Sequence, residues 1–560
     1  MKSTVPGFTR KKSGSLTAAG ALVALTLMAP PVAGAATGGA GPIPVFGEVA
    51  PATKLDLGAP DLPESRTVST VAPGVTRTSI SRGTATTALF WTAEVTIPSS
   101  DPKVSASALS SEPTARRVAA ELVAAGFTAR VERVVSPQLA DAGGELGFRV
   151  RVGEFASRED AAATIAGVKA AGYAASAWYV GWDGDPASAD QSRGPWNLQV
   201  LTIDPKEFDG EIAATFGPDL ERRETTSQLA ADAGAVAAVN GGFFVFDPAA
   251  GAEGDPAGVG VYSGQMLSEA VGDRPALVVD GKKARAGVER LSWEGTVSDG
   301  GSVLPLDGIN RVPGLIRNCG GTPDDVVTSE PLHDVTCTDA DEIVSFSPEF
   351  GATTPAGPGL EVVLDATGTV TAVNRSRGAS VPAGGASIQA IGTDVQRLLE
   401  LAKPGAHLGL TSELVAADGK EFEAGPGSHV LNGGPALIED GKIGVTARRD
   451  GMVHDRNPGM FYGWAHKRNP RTIAGTDAAG RLVLVTVDGR QTGSLGLSLQ
   501  ESAQVAKSLG LTEAINLDGG GSTTMVVNGA VVNTPSNAGA AERPVGDALV
   551  VLPGREPAAH

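Results

Sequence analysis

Histidine and cysteine are the scarcest chemistry-bearing residues of this chain, six and two among 560. Six histidines without metal spacing are a poor source of the clustered His and Asp ligands that a metal-dependent phosphodiesterase needs. No metal and no cofactor is therefore expected. Basic residues are also short, 45 Lys and Arg against 63 Asp and Glu, for a formal charge of −18. That balance argues against nucleic acid as a partner, because phosphate backbones need basic patches. Aromatic residues make up only 4%, so any recognition of sugars by aromatic platforms has to be local. Beyond the N-terminus no apolar run is long enough to span a bilayer.

What the N-terminus does hold is Lys2, Arg10, Lys11 and Lys12, then an apolar stretch over 16–28, then Ala33-Gly-Ala35. This pattern reads as a secretory signal peptide over 1–36. Pro30-Pro31 ends the apolar stretch early for a membrane anchor, and no cysteine follows the cleavage site to take a lipid. The expected location is secreted, extracellular or cell-wall associated. In an exported chain, Cys319 and Cys337 are expected to pair as a disulfide. Closing a loop of that size stabilises by about 3 kcal/mol on the loop-entropy argument.

A chain of this length exceeds one core. Residues 37–88 read as a leader rich in Ala, Gly and Pro with short β-prone pieces. A module follows over 89–184. Phe90-Trp-Thr-Ala-Glu-Val-Thr-Ile alternates like a strand, residues 113–125 are helical until Gly126, and 127–135 form a second strand. Phe148-Arg-Val-Arg-Val, a helix over 158–171 and a strand over 174–180 then repeat the order, and Ala124-Ala-Gly-Phe recurs as Ala170-Ala-Gly-Tyr. The order βαββαβ implies a ferredoxin-like, four-stranded antiparallel sheet with both helices on one face. Phe148, Val150 and Val152 should face the helices, which places Arg149 and Arg151 on the open face, as ligand contacts or simply as a solvated strand face. Residues 185–195 read as a linker. The remainder, 196–555, mixes short strands with helices near 226–234, 392–401 and 499–509, an α+β region built on mixed sheets.

The most telling stretch is Asn516-Leu-Asp-Gly-Gly-Gly-Ser-Thr-Thr-Met-Val-Val-Asn-Gly. Three glycines after a carboxylate cost chain entropy that a merely structural turn does not need. They leave bare N–H groups beside the Ser522, Thr523 and Thr524 hydroxyls. Asn528-Gly529 then marks a type I′ hairpin turn. Asn240-Gly-Gly-Phe-Phe and Asn432-Gly-Gly-Pro repeat the arrangement of an apolar strand ending in a polar residue plus glycines. Each alone is compatible with an ordinary tight turn. Together they favour one cleft for an anionic or sugar ligand.

Asn240-Gly-Gly-Phe-Phe, Asn469-Pro-Arg-Thr-Ile-Ala-Gly, Arg481-Leu-Val-Leu-Val-Thr-Val-Asp-Gly-Arg-Gln, Asn516-Leu-Asp-Gly-Gly-Gly-Ser-Thr and Glu542-Arg-Pro-Val occur in an order that resembles the phosphodiester glycosidase family, over roughly 196–553. Gly546-Asp547 stands where the family usually has Ser-Asn, which leaves the substrate open. The resemblance implies hydrolysis of the anomeric C1–O bond of sugar-1-phosphodiesters, N-acetylglucosamine-like, with release of free sugar and a phosphomonoester. The non-catalytic alternative is a glycan-binding cell-wall protein. Gly147-Phe-Arg-Val-Arg-Val-Gly-Glu-Phe-Ala-Ser-Arg-Glu-Asp-Ala resembles the sporulation-related repeat (SPOR) domain, which implies peptidoglycan glycan strands as a partner.

Such a reaction needs a carboxylate at C1, because its transition state is oxocarbenium-like. It also needs cationic or N–H donors at the departing phosphate. Asp518 is the first candidate carboxylate, with a capping role in its own turn as the alternative. Glu542 is the second, unless it only pairs with Arg543. Asp488 is the third, in a turn that could account for it. Ser498-Leu-Gln-Glu501 reads as a capping box, which explains Glu501 without catalysis. Arg471, Arg490 and Arg543 are the phosphate candidates, since guanidinium forks bind phosphate oxygens in pairs. Asn240, Gly241, Gly242, Asn432, Gly433, Gly519, Gly520, Gly521, Ser522 and Thr523 complete the expected binding set. His454 is a loop histidine without a motif.

Overall fold

The structure is a computed structural model that describes residues 54–554 apart from 100–103, 185–191, 318, 320–321, 329–336 and 455–456. The signal peptide, the first part of the leader and most of the linker lie outside these residues.

The chain is α+β, rich in strands, with few helices and several sheets. The central eight-stranded sheet runs Glu64–Ala72, Val75–Arg82, Trp196–Ile203, Leu482–Val487, Arg471–Asp477, Leu511–Asn516, Ala436–Glu439 and Lys442–Ile443. Its middle strands are apolar on both faces because both faces are covered. Along Leu482–Val487 the side chains alternate. Val483, Val485 and Val487 join one core with Leu499, Ala503 and Ala506 of the helix Leu499–Ser508, whereas Leu482 and Leu484 join a second core against two further sheets.

One of these is a five-stranded sheet ordered Ala530–Val531, Met525–Val527, Ala237–Asn240, Ala548–Leu552 and Glu211–Thr215. Its hairpin turns at Asn528 and Gly529, both at positive φ (49° and 75°), as a type I′ turn demands. The other sheet includes Gly260–Tyr262, Ser428–Asn432 and Arg274–Asp280. A separate five-stranded layer contains Ile343–Phe346, Ala386–Ala390 and Gly357–Leu364 and packs on the helix Asp394–Leu401. Its pairing of Gly308–Ile309 with Ile343–Phe346 is parallel. The three glycine-bearing turns follow Ala237–Asn240, Ser428–Asn432 and Leu511–Asn516, so strand ends from three sheets meet at one place.

The leader strands are part of this architecture. Val75–Arg82 pairs with Trp196–Ile203 from Val75↔Ile203 to Arg82↔Trp196, so hydrogen bonding crosses the sequence boundaries at 88 and 196. The module sits between these two adjacent strands. Its sheet is ordered Ala129–Ser136, Gly144–Phe155, Trp91–Thr96, Ala174–Tyr179, all antiparallel. Val118, Leu122 and Val168 of its helices pack on Ala93, Val95, Val150 and Val152.

The opposite face corrects the expectation of an open one. Arg149 is 2% and Arg151 1% exposed, covered by the segment that contains Tyr462 and Lys467. Alternation identified which face the arginines share, but not what lies against it.

Candidate active site

The 3-10 turn Gly520–Ser522 follows the strand Leu511–Asn516 and holds Asp518 at the wall of a cavity of about 190 Å³. Two glycines there shape the loop and its contact with Arg543. Gly520 lies at φ +63°, and a Cβ on Gly521 would stand 2.3 Å from the Arg543 guanidinium. Arginine can therefore lie flat against the loop only where the loop has no side chain. Asp518 Oδ1 accepts from its neighbour Gly519 N–H at 2.8 Å. Burial pushes the Asp518 carboxyl above the ordinary range, while Ser522, Arg543, the Gly519 N–H and Arg317 pull it back towards the ionised form.

Three guanidiniums share the cavity wall with Asp518, those of Arg317, Arg490 and Arg543. Arg490, itself at φ +57°, donates through Nε and Nη2 to Asn469 Oδ1 at 3.1 and 2.9 Å. Burial and the like charge of Arg543 push the Arg490 guanidinium down, and Asp518 opposes them. Arg543 lies over the Phe246 ring at 5.1 Å, and Arg317 donates to the Phe244 carbonyl. Phe243, Phe244, Phe246 and Trp464 supply the apolar wall, with Phe243 and Trp464 edge to face at 5.7 Å. In a chain so poor in aromatics, four line this one cavity.

The three glycine turns converge by backbone contact. Asn240 Nδ2 donates to Asp518 O at 2.7 Å, and its Oδ1 accepts from Thr472 Oγ1 and from Thr524 N–H. Asn432 Oδ1 accepts from Phe243 N–H at 2.8 Å, and Gly434 N–H donates to Asn516 O at 2.7 Å. A Cβ on Gly433 would come within 2.8 Å of Asn516 O. Thus Asn240, Asn432 and Gly433 lie behind the wall, where they fix Phe243 and the Asp518 loop. Thr523 is buried with them, its carbonyl accepting from Asn533 Nδ2 at 3.0 Å.

Other sequence candidates stand away from the cavity. Glu542 accepts from Ser227 N–H (3.0 Å) and Ser227 Oγ (2.5 Å) at the start of the helix Thr226–Asp232, where unpaired N–H groups attract a carboxylate. Asp488 accepts from Thr534 N–H at 2.9 Å and from Asn533 Nδ2 at 3.3 Å, a latch behind the glycine loop. Arg471 lies fully buried behind Trp464, 4.8 Å from its ring, and donates Nε to Leu497 O at 2.9 Å. Glu501 forms the expected capping box with Ser498 and also accepts from Arg468 at 2.6 Å.

Sequence reasoning missed Arg317 and Trp464, which carry no local signature, and it quoted Asn469 and the two phenylalanines after Asn240 without a role. It also left Asp547 without one. Asp547 accepts from Tyr262 OH and from Gly242 N–H, each at 2.8 Å, and its carbonyl accepts from Gly241 N–H. Burial pushes its carboxyl up to about 6, with Tyr262 and the Gly242 N–H opposing and the negative charge of Asp518 adding to the rise. A larger cleft of about 350 Å³ lies between the module and Asn457-Pro458, but its described lining includes no arginine.

A carboxylate beside glycines, three guanidiniums and an aromatic wall share this cavity, chemistry suited to an anionic ligand with an apolar face. Among known proteins, residues 359–552 match the model of the phosphodiester glycosidase family and residues 98–178 that of the SPOR domain. Bovine (Bos taurus) N-acetylglucosamine-1-phosphodiester alpha-N-acetylglucosaminidase is 36% identical over 113 residues, 20% of this chain and 21% of its own length. The match thus spans about a fifth of that relative. The crystal structure of the "Putative exported protein" of Burkholderia pseudomallei K96243 is 33% identical, with a TM-score of 0.80 over 90% of this chain and 99% of that one. A hypothetical protein from Synechocystis, 17% identical with a TM-score of 0.51 over 91% of this chain and 83% of that one, shares the fold.

Proposed function

We propose that the protein is an exported hydrolase that cleaves the glycosidic C1–O bond of N-acetylglucosamine-1-phosphodiester-like groups in cell-envelope or extracellular glycans. Water oxygen bonds to C1 as the C1–O bond breaks. The electron pair leaves with the phosphomonoester, and the proton of water goes to Asp518 where it acts as base, and otherwise to solvent or to that phosphate. Asp518 faces C1, where it stabilises the oxocarbenium-like charge or activates the water. Arg317, Arg490 and Arg543 receive the phosphate, whose charge grows as the bond breaks. The single observation that carries this reading is the placement of Asp518 and the three guanidiniums on one cavity wall.

The SPOR match supports peptidoglycan glycan strands as a partner, met through surfaces other than the covered strand face. The module's strand order, with its first strand between the third and fourth, supports reading it as ferredoxin-like. The exported description of the Burkholderia relative and the signal-like N-terminus support a secreted or wall-associated location. Turnover of a panel of sugar-1-phosphodiesters, with and without chelator, tests the proposal. Free sugar plus phosphomonoester, unaffected by chelator, is the expected product pattern. Sugar phosphate plus alcohol would indicate a phosphodiesterase, and tight binding without turnover a glycan-binding protein.

A further inference from the structure

The covered face of the module holds six charged groups, Glu94, Glu132, Arg149, Arg151, Asp183 and Lys467, with Glu132 accepting from both arginines. Arg151 donates to Glu94 Oε2 (2.8 Å) and to both oxygens of Asp183 (2.7 Å each). Arg149 donates to Asp183 and to Tyr462 OH (3.0 Å). Lys467 pairs with Glu94, and Tyr462 OH donates to that same carboxylate at 3.1 Å. Each buried charge costs several kcal/mol of desolvation, so well-packed apolar side chains would hold two surfaces together at least as well. What such a network adds over apolar packing is register.

The register it sets is that of the cavity wall. Tyr462 and Lys467 bracket Trp464, and both end on Glu94 of the module strand Trp91–Thr96. Between them the chain makes a π-helical turn over Phe461–His466, a rare form with fewer alternatives to fall back on and often found at functional sites. The Trp464 carbonyl accepts from Arg471. Its ring lines the cavity against Phe243. Lys467 stacks on Trp178 at 3.6 Å and on Tyr462 at 4.3 Å, closing the clamp.

We propose that the strand face of the SPOR module supports the aromatic wall of the catalytic cavity, with Glu94, Arg151, Tyr462 and Lys467 as positioning residues for Trp464. The inference rests on the reading of that cavity as a sugar-phosphodiester site. The module thereby sets sugar affinity, and a ligand on its strand face would have to displace the 458–467 segment.

The test uses the full chain and two variants, Tyr462→Phe, which removes only the hydroxyl, and Lys467→Met, with Lys467→Arg as the rescue. Amide hydrogen exchange is followed over 460–469 against the strand Leu482–Val487 as internal control. KM and kcat are measured on N-acetylglucosamine 1-(methyl phosphate). Tyr462→Phe and Lys467→Met should speed exchange over 460–469 about tenfold, the scale of one charged hydrogen bond, and leave the control strand unchanged. KM should rise by a similar factor while kcat stays within about twofold, the signature of lost binding without lost chemistry. Lys467→Arg should restore both. Unchanged exchange, or faster exchange with unchanged KM, overturns the proposal. A wild type without turnover would instead fail the cavity reading, and the exchange result would still decide whether the module braces the segment.

Discussion

Asp518 is the one carboxylate among the three sequence candidates that reaches the cavity, and its surroundings make it testable in isolation. Asparagine at 518 keeps the size of the side chain and an oxygen for the Gly519 N–H, so a turn residue should tolerate it. Loss of the negative charge at C1 should instead lower kcat at least about 10²–10³-fold, as removal of one preorganised electrostatic group does. Steady-state kinetics with circular dichroism as a fold control measures this. Because burial raises the Asp518 carboxyl and its ionised form is the working one, kcat/KM should fall as pH drops through a pKa above the ordinary Asp value. Arg543→Ala should lower kcat/KM by about 1.5–3 kcal/mol, the worth of a hydrogen bond to a charged group, in both KM and kcat. Arg471→Ala should act through stability, since its guanidinium serves buried carbonyls.

Asp547 carries a second pH dependence. Its folded value, raised from 3.8 to about 6, means that the folded state holds this proton more tightly than the unfolded chain. The resulting stabilisation is complete below pH 3.8 and is lost as pH rises through 6. Asp547→Asn removes it. The stability of wild type relative to Asp547→Asn should therefore decline by up to about 3 kcal/mol between these values, read by urea unfolding across pH. A pH-independent difference would show that Asp547 titrates normally.

Among the elements, those with a local cause were legible. The helix Leu499–Ser508 begins at its capping box, and the hairpin of Met525–Val527 with Ala530–Val531 turns at Asn528-Gly529. The convergence of the three glycine turns was legible as a tendency, because each ends a strand with a polar residue. Which side chains then face the ligand was not. Asn240 and Asn432 spend their amides on backbone groups, and only the three-dimensional meeting of the strands decides that. Arg317 could not be found either, since it reaches the cavity from a loop with no motif. That loop is tied by the Cys319–Cys337 disulfide, two residues beyond Arg317. The double variant Cys319→Ser/Cys337→Ser should lose about 3 kcal/mol of stability and raise KM more than it lowers kcat. Unchanged unfolding midpoints and KM would separate the disulfide from the site.

For the molecule as a whole, the internal duplication revealed the order of the module's elements, and the covered face explains where the reading stopped. Period-two alternation reports which side chains share a face, and a face bearing two arginines looks solvated until Asp183, Tyr462 and Lys467 are placed against it. Pairing of Val75–Arg82 with Trp196–Ile203 spans more than a hundred residues. No local signal encodes such a contact, so the leader strands could not be assigned to the central sheet.

The position of bond cleavage tests the proposed chemistry most directly. Hydrolysis of N-acetylglucosamine 1-(methyl phosphate) in oxygen-18 water, followed by mass spectrometry of both products, places the incoming oxygen. Attack at C1 beside Asp518 predicts label in the free sugar and unlabelled methyl phosphate. Label in the phosphate would contradict it, because water would then have attacked phosphorus and the carboxylate would have no anomeric carbon to serve.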